Sequence, residues 1–116
     1  MSSQLSKDIL GNISILQIWQ LNDLLQECGD DVTFIAVGKL KQEYLEKYGD
    51  NDKVTVVTIE KDICQEKLSK AKNVIYESLS FLQIDLLHLT LLKRGYKKTF
   101  ACIRQINKEH REKYKY

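Results

Sequence analysis

This chain of 116 residues contains no proline and only five glycines. An average chain of this length carries roughly six prolines, and proline interrupts helices and is excluded from central strands. Its absence therefore permits long, uninterrupted helices over almost the whole sequence. A chain of this length is close to the usual size of one domain. We therefore predict a single domain spanning residues 1–116, in which the Ser, Asn and Gly residues of segment 1–12 are typical of a fraying terminus.

Helical spacing is clear in several parts of the chain. Ser14 and Gln17 have the spacing of a capping box, and apolar residues then recur every three or four positions up to Gly29. Segment 39–49 carries oppositely charged pairs at helical spacing and ends at a glycine. A longer apolar stripe runs through most of residues 68–95. One helix of that length exceeds what a small domain covers, so it either breaks near "ESLS" or protrudes.

Two β-branched, apolar runs predict a small parallel sheet. They are "VTFIAV" (Val32–Val37) and "VTVVTI" (Val54–Ile59), and both are apolar in the manner of strands covered on two faces. The segment between them is long enough for a helical crossover between parallel strands. The predicted fold is therefore α/β with a helical majority, in the order α-β-α-β-α-α.

A sheet of two strands is not stable by itself in water, so this prediction lacks a strand. One alternative places it within this chain, at Leu82–Leu86, where apolar residues also alternate, or at Thr99–Ile103. The other takes it from a second chain that pairs with an exposed sheet edge. We favour a helix over a strand at 82–86. Inspection of the sequence reveals no internal repeat, low-complexity tract or linker.

Charge is distributed unevenly along a chain whose formal net charge is only +2. Residues 1–92 have a net charge of −5 and residues 93–116 a net charge of +7. Helical spacing over 96–116 predicts a basic amphipathic C-terminal helix. The cations of its basic face are Lys97, Arg104, Lys108, Arg111 and Lys115, and Tyr114 and Tyr116 are rings available for stacking on unpaired bases. Such a face fits nucleic acid, an acidic protein, an anionic membrane or plain solvent.

Residues 81–92 are apolar on most sides of a helix, which is the pattern of a central or partner-covered helix. The candidate residues of a partner interface are Phe81, Leu82, Leu86 and Leu89. Together with the incomplete sheet, this segment predicts a protein partner or a homo-oligomer.

Motifs that would indicate chemistry are missing from the sequence. The three cysteines lie far apart with no C-x-x-C pair, which argues against a disulfide framework and a zinc module and indicates a reducing compartment. No P-loop, dinucleotide-binding or zinc-protease motif is present, so we predict no catalytic residue, metal or cofactor. Neither a signal peptide nor a segment able to span a bilayer is evident. We expect an intracellular protein, cytoplasmic or nuclear.

These observations favour a non-catalytic adaptor or assembly subunit that oligomerises or docks on partners and presents its basic C-terminal helix. The alternative is a nucleic-acid-binding protein without sequence specificity that uses this helix as its main site. An enzyme using His88 or a cysteine is the least favoured hypothesis, because no arrangement supplies both a nucleophile and an oriented base.

Overall fold

The computed structural model describes residues 4–48 and 63–114, without the side chains of Tyr48 and Tyr114. These residues form six helices: α1 (Gln4–Asn12), α2 (Ile15–Cys28), α3 (Asp30–Tyr48), α4 (Gln65–Ser78), α5 (Phe81–Arg94) and α6 (Tyr96–Tyr114). The two described ranges contain no β-strand. The protein is therefore a helical bundle, and the α/β prediction is wrong.

The predicted first strand is the buried beginning of α3. Every residue from Val32 to Val37 is at most 8% exposed. A segment covered on all sides is apolar throughout whether it is a strand or a helix, so the apolar run did not discriminate between the two. A β-branched residue costs a helix less than about 1 kcal/mol, which burial of its side chain outweighs. Asp30 and Asp31 in the first turn also stabilise α3 through the helix dipole.

The segments proposed to supply a third strand are helical as well. Leu82–Leu86 lies in α5 and Thr99–Ile103 lies in α6, whereas Val54–Ile59 lies outside the described residues. With no sheet in the part of the chain that the structure describes, the prediction of pairing at a sheet edge is withdrawn. The long apolar stripe is divided between α4 and α5 at Leu79 and Ser80, which is the first of its two predicted alternatives.

The predicted capping box of α2 is confirmed, and α5 has a second one. The backbone N–H of Gln17 donates to Ser14 Oγ at 3.2 Å, and the Ser14 N–H donates to Gln17 Oε1 at 2.9 Å. Ser80 and Gln83 form the same pair of bonds at the same distances. Both boxes satisfy backbone donors that the first turn of a helix leaves without partners.

The two boxes belong to an internal repeat that inspection of the sequence missed. Residues 14–34 align without a gap to residues 80–100, at an offset of 66, and nine of the 21 positions are identical. The identical pairs are Ser14/Ser80, Leu16/Leu82, Gln17/Gln83, Ile18/Ile84, Leu21/Leu87, Leu25/Leu91, Gly29/Gly95, Thr33/Thr99 and Phe34/Phe100. Helices α2 and α5 have 14 residues each, and α3 and α6 have 19 each. Two three-helix halves, α1–α3 and α4–α6, therefore repeat one another.

The two halves are related by an approximate two-fold rotation and are interlocked. Helix α1 packs on α5 and α6 of the other half, and α4 packs on α2 and α3. Helix α2 packs on α6 as α5 packs on α3. Because exchanging the halves maps each of these contacts onto another, the chain has the arrangement of an isologous dimer within one molecule.

Hydrogen bonds between the two capping boxes follow the same symmetry. The Gln17 and Gln83 side-chain amides donate to each other at 2.9 Å in both directions. Gln17 Nε2 also donates to the Ser78 carbonyl, and Gln83 Nε2 donates to the Asn12 carbonyl, both at 2.8 Å. Residues 12 and 78 are themselves related by the offset of 66, so the two bonds are equivalent.

All six helices contribute to one apolar core. Its largest fully buried side chains include Phe100, Ile18, Leu21, Ile75 and Leu91. The inner faces of α2 and α5 thus pack in the core, and their opposite faces are left for solvent or partners.

Gly29 and Gly95 end α2 and α5 with φ angles of +88°. An L-residue is strained in that region, although a Cβ would meet nothing within 4 Å at either position. We expect Gly29→Ala and Gly95→Ala each to lower the free energy of unfolding by about 1–2 kcal/mol in urea titrations. Gly11→Ala is the matched control, because its Cβ also enters open space but its backbone is helical. It should raise stability by about 0.5 kcal/mol, and similar losses at all three sites would contradict this explanation.

Candidate partner-binding surfaces

Helix α5 presents an apolar stripe to solvent. Leu82, Leu86 and Leu89, which we call the leucine stripe, are spaced by four and three residues and so lie on one face of the helix. Leu82 is 65% exposed and Leu89 is 49% exposed, whereas Leu86 is half-buried. The opposite face of α5 carries the side chains that the core buries, including Ile84 and Leu87. The structure thus brings together three of the four residues predicted for a partner interface.

Phe81, the fourth predicted interface residue, lies apart from the stripe. Its ring stacks on Tyr44 of α3. Both rings border a groove of about 680 Å³ that Tyr76 and Leu79 also line. Neither Tyr44 nor Tyr76 was predicted from the sequence, because the groove is formed by contacts between α3, α4 and α5 that no local pattern indicates.

The internal repeat supplies a comparison for the outer face of α5. The residues at positions equivalent to Leu82, Leu86, Leu89 and Lys93 are Leu16, Gln20, Asp23 and Glu27 of α2. Leu16 is exposed to the same degree as Leu82, but the next three positions of α2 are polar and exposed. The same fold thus accepts a polar outer face on one helix and carries an apolar one on the other.

Helix α6 begins at Tyr96 and shows the predicted amphipathic pattern. Phe100, Ile103 and Ile106 are buried in the core. Lys97 and Lys108 are exposed, and no ion pair joins either of them to a carboxylate among the described residues.

The remaining residues of the predicted basic face have different surroundings. Arg104 forms an ion pair with Asp30 at the start of α3. The Arg111 guanidinium lies 5.7 Å from the centre of the Trp19 ring, where a cation–π contact forms. Tyr114 is the last residue of α6, and Lys115 and Tyr116 lie outside the described ranges. The structure therefore keeps Lys97 and Lys108 available and engages both arginines within the molecule.

Acidic residues of the first half contact residues of the basic helix α6 at the turn between α2 and α3. In addition to the Arg104–Asp30 pair, Tyr96 Oη donates to Asp31 Oδ1 at 2.6 Å. Lys97 borders the same cavity of about 370 Å³ as Asp30 and Asp31. Part of the charge asymmetry seen in the sequence is thus neutralised inside the molecule.

The side chains considered for catalysis are dispersed. His88 is 1% exposed and stacks near Phe34, with 6.3 Å between ring centres. All three cysteines are free thiols. Cys28 is buried, which raises its pKa, whereas Cys64 is exposed.

No group of three or more His, Cys, Asp or Glu side chains within residues 4–48 and 63–114 converges in an arrangement that could hold a metal ion. None of the helices in these ranges is both long enough and apolar enough to cross a membrane.

No known protein family, curated protein or solved structure matches this chain.

The hydrogen bond that Tyr96 donates to Asp31 raises the pKa of Tyr96 to about 12. A phenol whose folded-state pKa is raised stabilises the fold fully below its unfolded pKa of about 10 and loses that contribution as the pH rises to about 12. We therefore expect Tyr96→Phe to lose less unfolding free energy than the wild type between pH 9 and pH 12, in urea titrations at each pH. Tyr76→Phe, which changes an exposed ring, should behave as the wild type. Equal pH dependence in all three proteins would contradict this assignment.

Proposed function

We propose that this protein is a non-catalytic adaptor or assembly subunit that docks on a protein partner through the leucine stripe of α5. The supporting observation is the contrast between the outer faces of α5 and α2. Gln20 and Asp23 occupy the positions equivalent to Leu86 and Leu89, so neither leucine is needed for the fold. Apolar side chains that the fold does not need, aligned on one exposed face, are the mark of an interaction site.

The exposed leucines can supply a useful share of a binding energy. Complete burial of a leucine side chain contributes about 1.5–3 kcal/mol. Because Leu82 and Leu89 are roughly half exposed, covering each of them would contribute on the order of 1–2 kcal/mol. Such apolar anchors, surrounded by polar contacts, are typical of the few residues that dominate an interface.

We place this function inside the cell, in the cytoplasm or the nucleus. The proposal is supported by three free thiols, of which Cys64 is exposed and would be prone to oxidation in an extracellular compartment.

The double variant Leu86→Gln/Leu89→Asp tests the docking surface, because it installs the residues that α2 carries at the same positions. We expect its unfolding free energy to stay within about 0.5 kcal/mol of the wild type, since both substitutions are on an outer face. In affinity capture from the source cell, the double variant should no longer retain the partner that the wild type retains. The matched control is Gln20→Ala/Asp23→Ala on α2, which should capture it normally. Retention of the same partner by the α5 variant would reject the proposal.

Nucleic-acid binding by α6 is the second candidate. This candidate is supported by Lys97 and Lys108, which are both exposed. They lie on the same side of α6, about three helical turns apart. The engagement of Arg104 with Asp30 removes one predicted phosphate contact. This candidate is therefore a weak, salt-sensitive site.

We expect mixed-sequence oligonucleotides to bind only at low salt, with a slope of log K against log salt near −2 if two cations contact phosphates. Lys97→Glu/Lys108→Glu should abolish this binding in fluorescence anisotropy. Lys39→Glu, which reverses an exposed charge on α3, is the control and should retain it. Undetectable binding at low salt, or binding that survives the double reversal, would eliminate this candidate.

A further inference from the structure

The leucine stripe runs along a single helix and has an ion pair on each side. Helix α5 has 14 residues and is about 21 Å long. On one flank Asp85 pairs with Lys41 at 2.8 Å, and on the other Arg94 pairs with Asp8 at 3.4 Å. These polar pairs border the leucine stripe on both sides, and Leu92, which is 39% exposed, adds apolar surface on the side of Asp85.

Lys93 continues the leucine stripe, four residues beyond Leu89 on the same face. It is exposed, and no carboxylate among the described residues pairs with it. The two flanking ion pairs are each neutral, so Lys93 gives the stripe a net positive charge at the C-terminal end of α5.

The internal repeat shows what is missing beside Lys93. The residue equivalent to Lys93 is Glu27, which forms an ion pair with Lys70 of α4. The residue equivalent to Lys70 is Gln4, an amide that donates to Asp8. One half of the molecule thus provides a partner of opposite charge at this position, and the other half leaves the cation unpaired.

We infer that the leucine stripe binds one amphipathic helix of a partner protein, and that an acidic side chain of this helix pairs with Lys93. The inference rests on the proposed docking function. Apolar residues of the partner helix lie along Leu82, Leu86 and Leu89, in the mode in which an amphipathic helix fills a groove or seam. The acidic residue supplies for Lys93 the contact that Lys70 supplies for Glu27, and fixes the direction of the bound helix.

Three labelled synthetic peptides of about 20 residues test this inference by fluorescence anisotropy with the full chain. The first is an amphipathic helix with leucines on one face and glutamates elsewhere, the second has lysines in place of the glutamates, and the third is the first peptide scrambled to destroy its apolar face. We expect the acidic helix to bind at least tenfold more tightly than the other two. Lys93→Glu should weaken its binding about tenfold and strengthen that of the basic helix. Lys108→Glu, an equal charge change on α6, is the matched control and should leave the preference unchanged.

The contrary results separate this inference from the docking proposal. Equal binding of the acidic and basic helices, an unchanged preference in Lys93→Glu, or no binding of either helix would overturn the acidic-helix inference alone. A wild-type mass that doubles with concentration in light scattering, and does not in Leu86→Gln/Leu89→Asp, would show that a second copy occupies the stripe. That result would overturn the inference and support the docking function. If the stripe variant both captures the normal partner and binds the acidic helix like the wild type, both proposals are wrong.

Discussion

The hydrogen-bonded pair of Gln17 and Gln83 joins the two halves where their second helices begin, and it constrains which residues the interlocked bundle accepts there. Each amide uses both N–H donors, one for the other glutamine and one for a carbonyl at the end of the neighbouring helix. Each amide oxygen accepts from the other glutamine and from the N–H of its own cap serine. A capping box accepts Glu as well as Gln, but a carboxylate cannot donate, and two facing carboxylates would repel each other. Contact between the halves therefore requires glutamine at positions 17 and 83, whereas the capping box alone would accept either Glu or Gln.

Symmetry in the interior and divergence at the surface follow from different constraints. Five of the nine identical pairs, among them Ile18 and Ile84 and Phe34 and Phe100, are buried in both halves, because close packing about a two-fold axis admits few volumes. Equivalent surface positions differ in charge, as Asp31 and Lys97 do. The acidic turn of the first half accepts hydrogen bonds from the basic half at Asp30 and Asp31, so divergence of charge also stabilises contact between the halves.

The sequence predicted those elements whose signals are local. The start of α2 was predicted from Ser14 and Gln17, and the start of α6 from Gly95 and the spacing that follows. Val32–Val37 was assigned to a strand because burial on all sides removes the periodicity that distinguishes helix from strand. The repeat was missed because no identical run is longer than three residues and 12 of the 21 aligned positions differ. The leucines of the α5 surface were predicted from their apolar run. Lys93 was not predicted, because its role is indicated only by the comparison with the Glu27–Lys70 ion pair of the other half.

The turn at Gly95 links the two surfaces that the sequence indicated separately. Lys93 ends the leucine stripe, and Lys97 begins the exposed basic side of α6 four residues later. Thr99 donates both its N–H and its hydroxyl to the Gly95 carbonyl, so the first turn of α6 begins directly at this glycine. A helix bound along α5 with its acidic residue at Lys93 would therefore end at the turn that leads into the basic helix. Lys97 itself borders the cavity that Asp30 and Asp31 also line, so these carboxylates lie close to its charge, and Lys93 is the cation that the α5 surface offers.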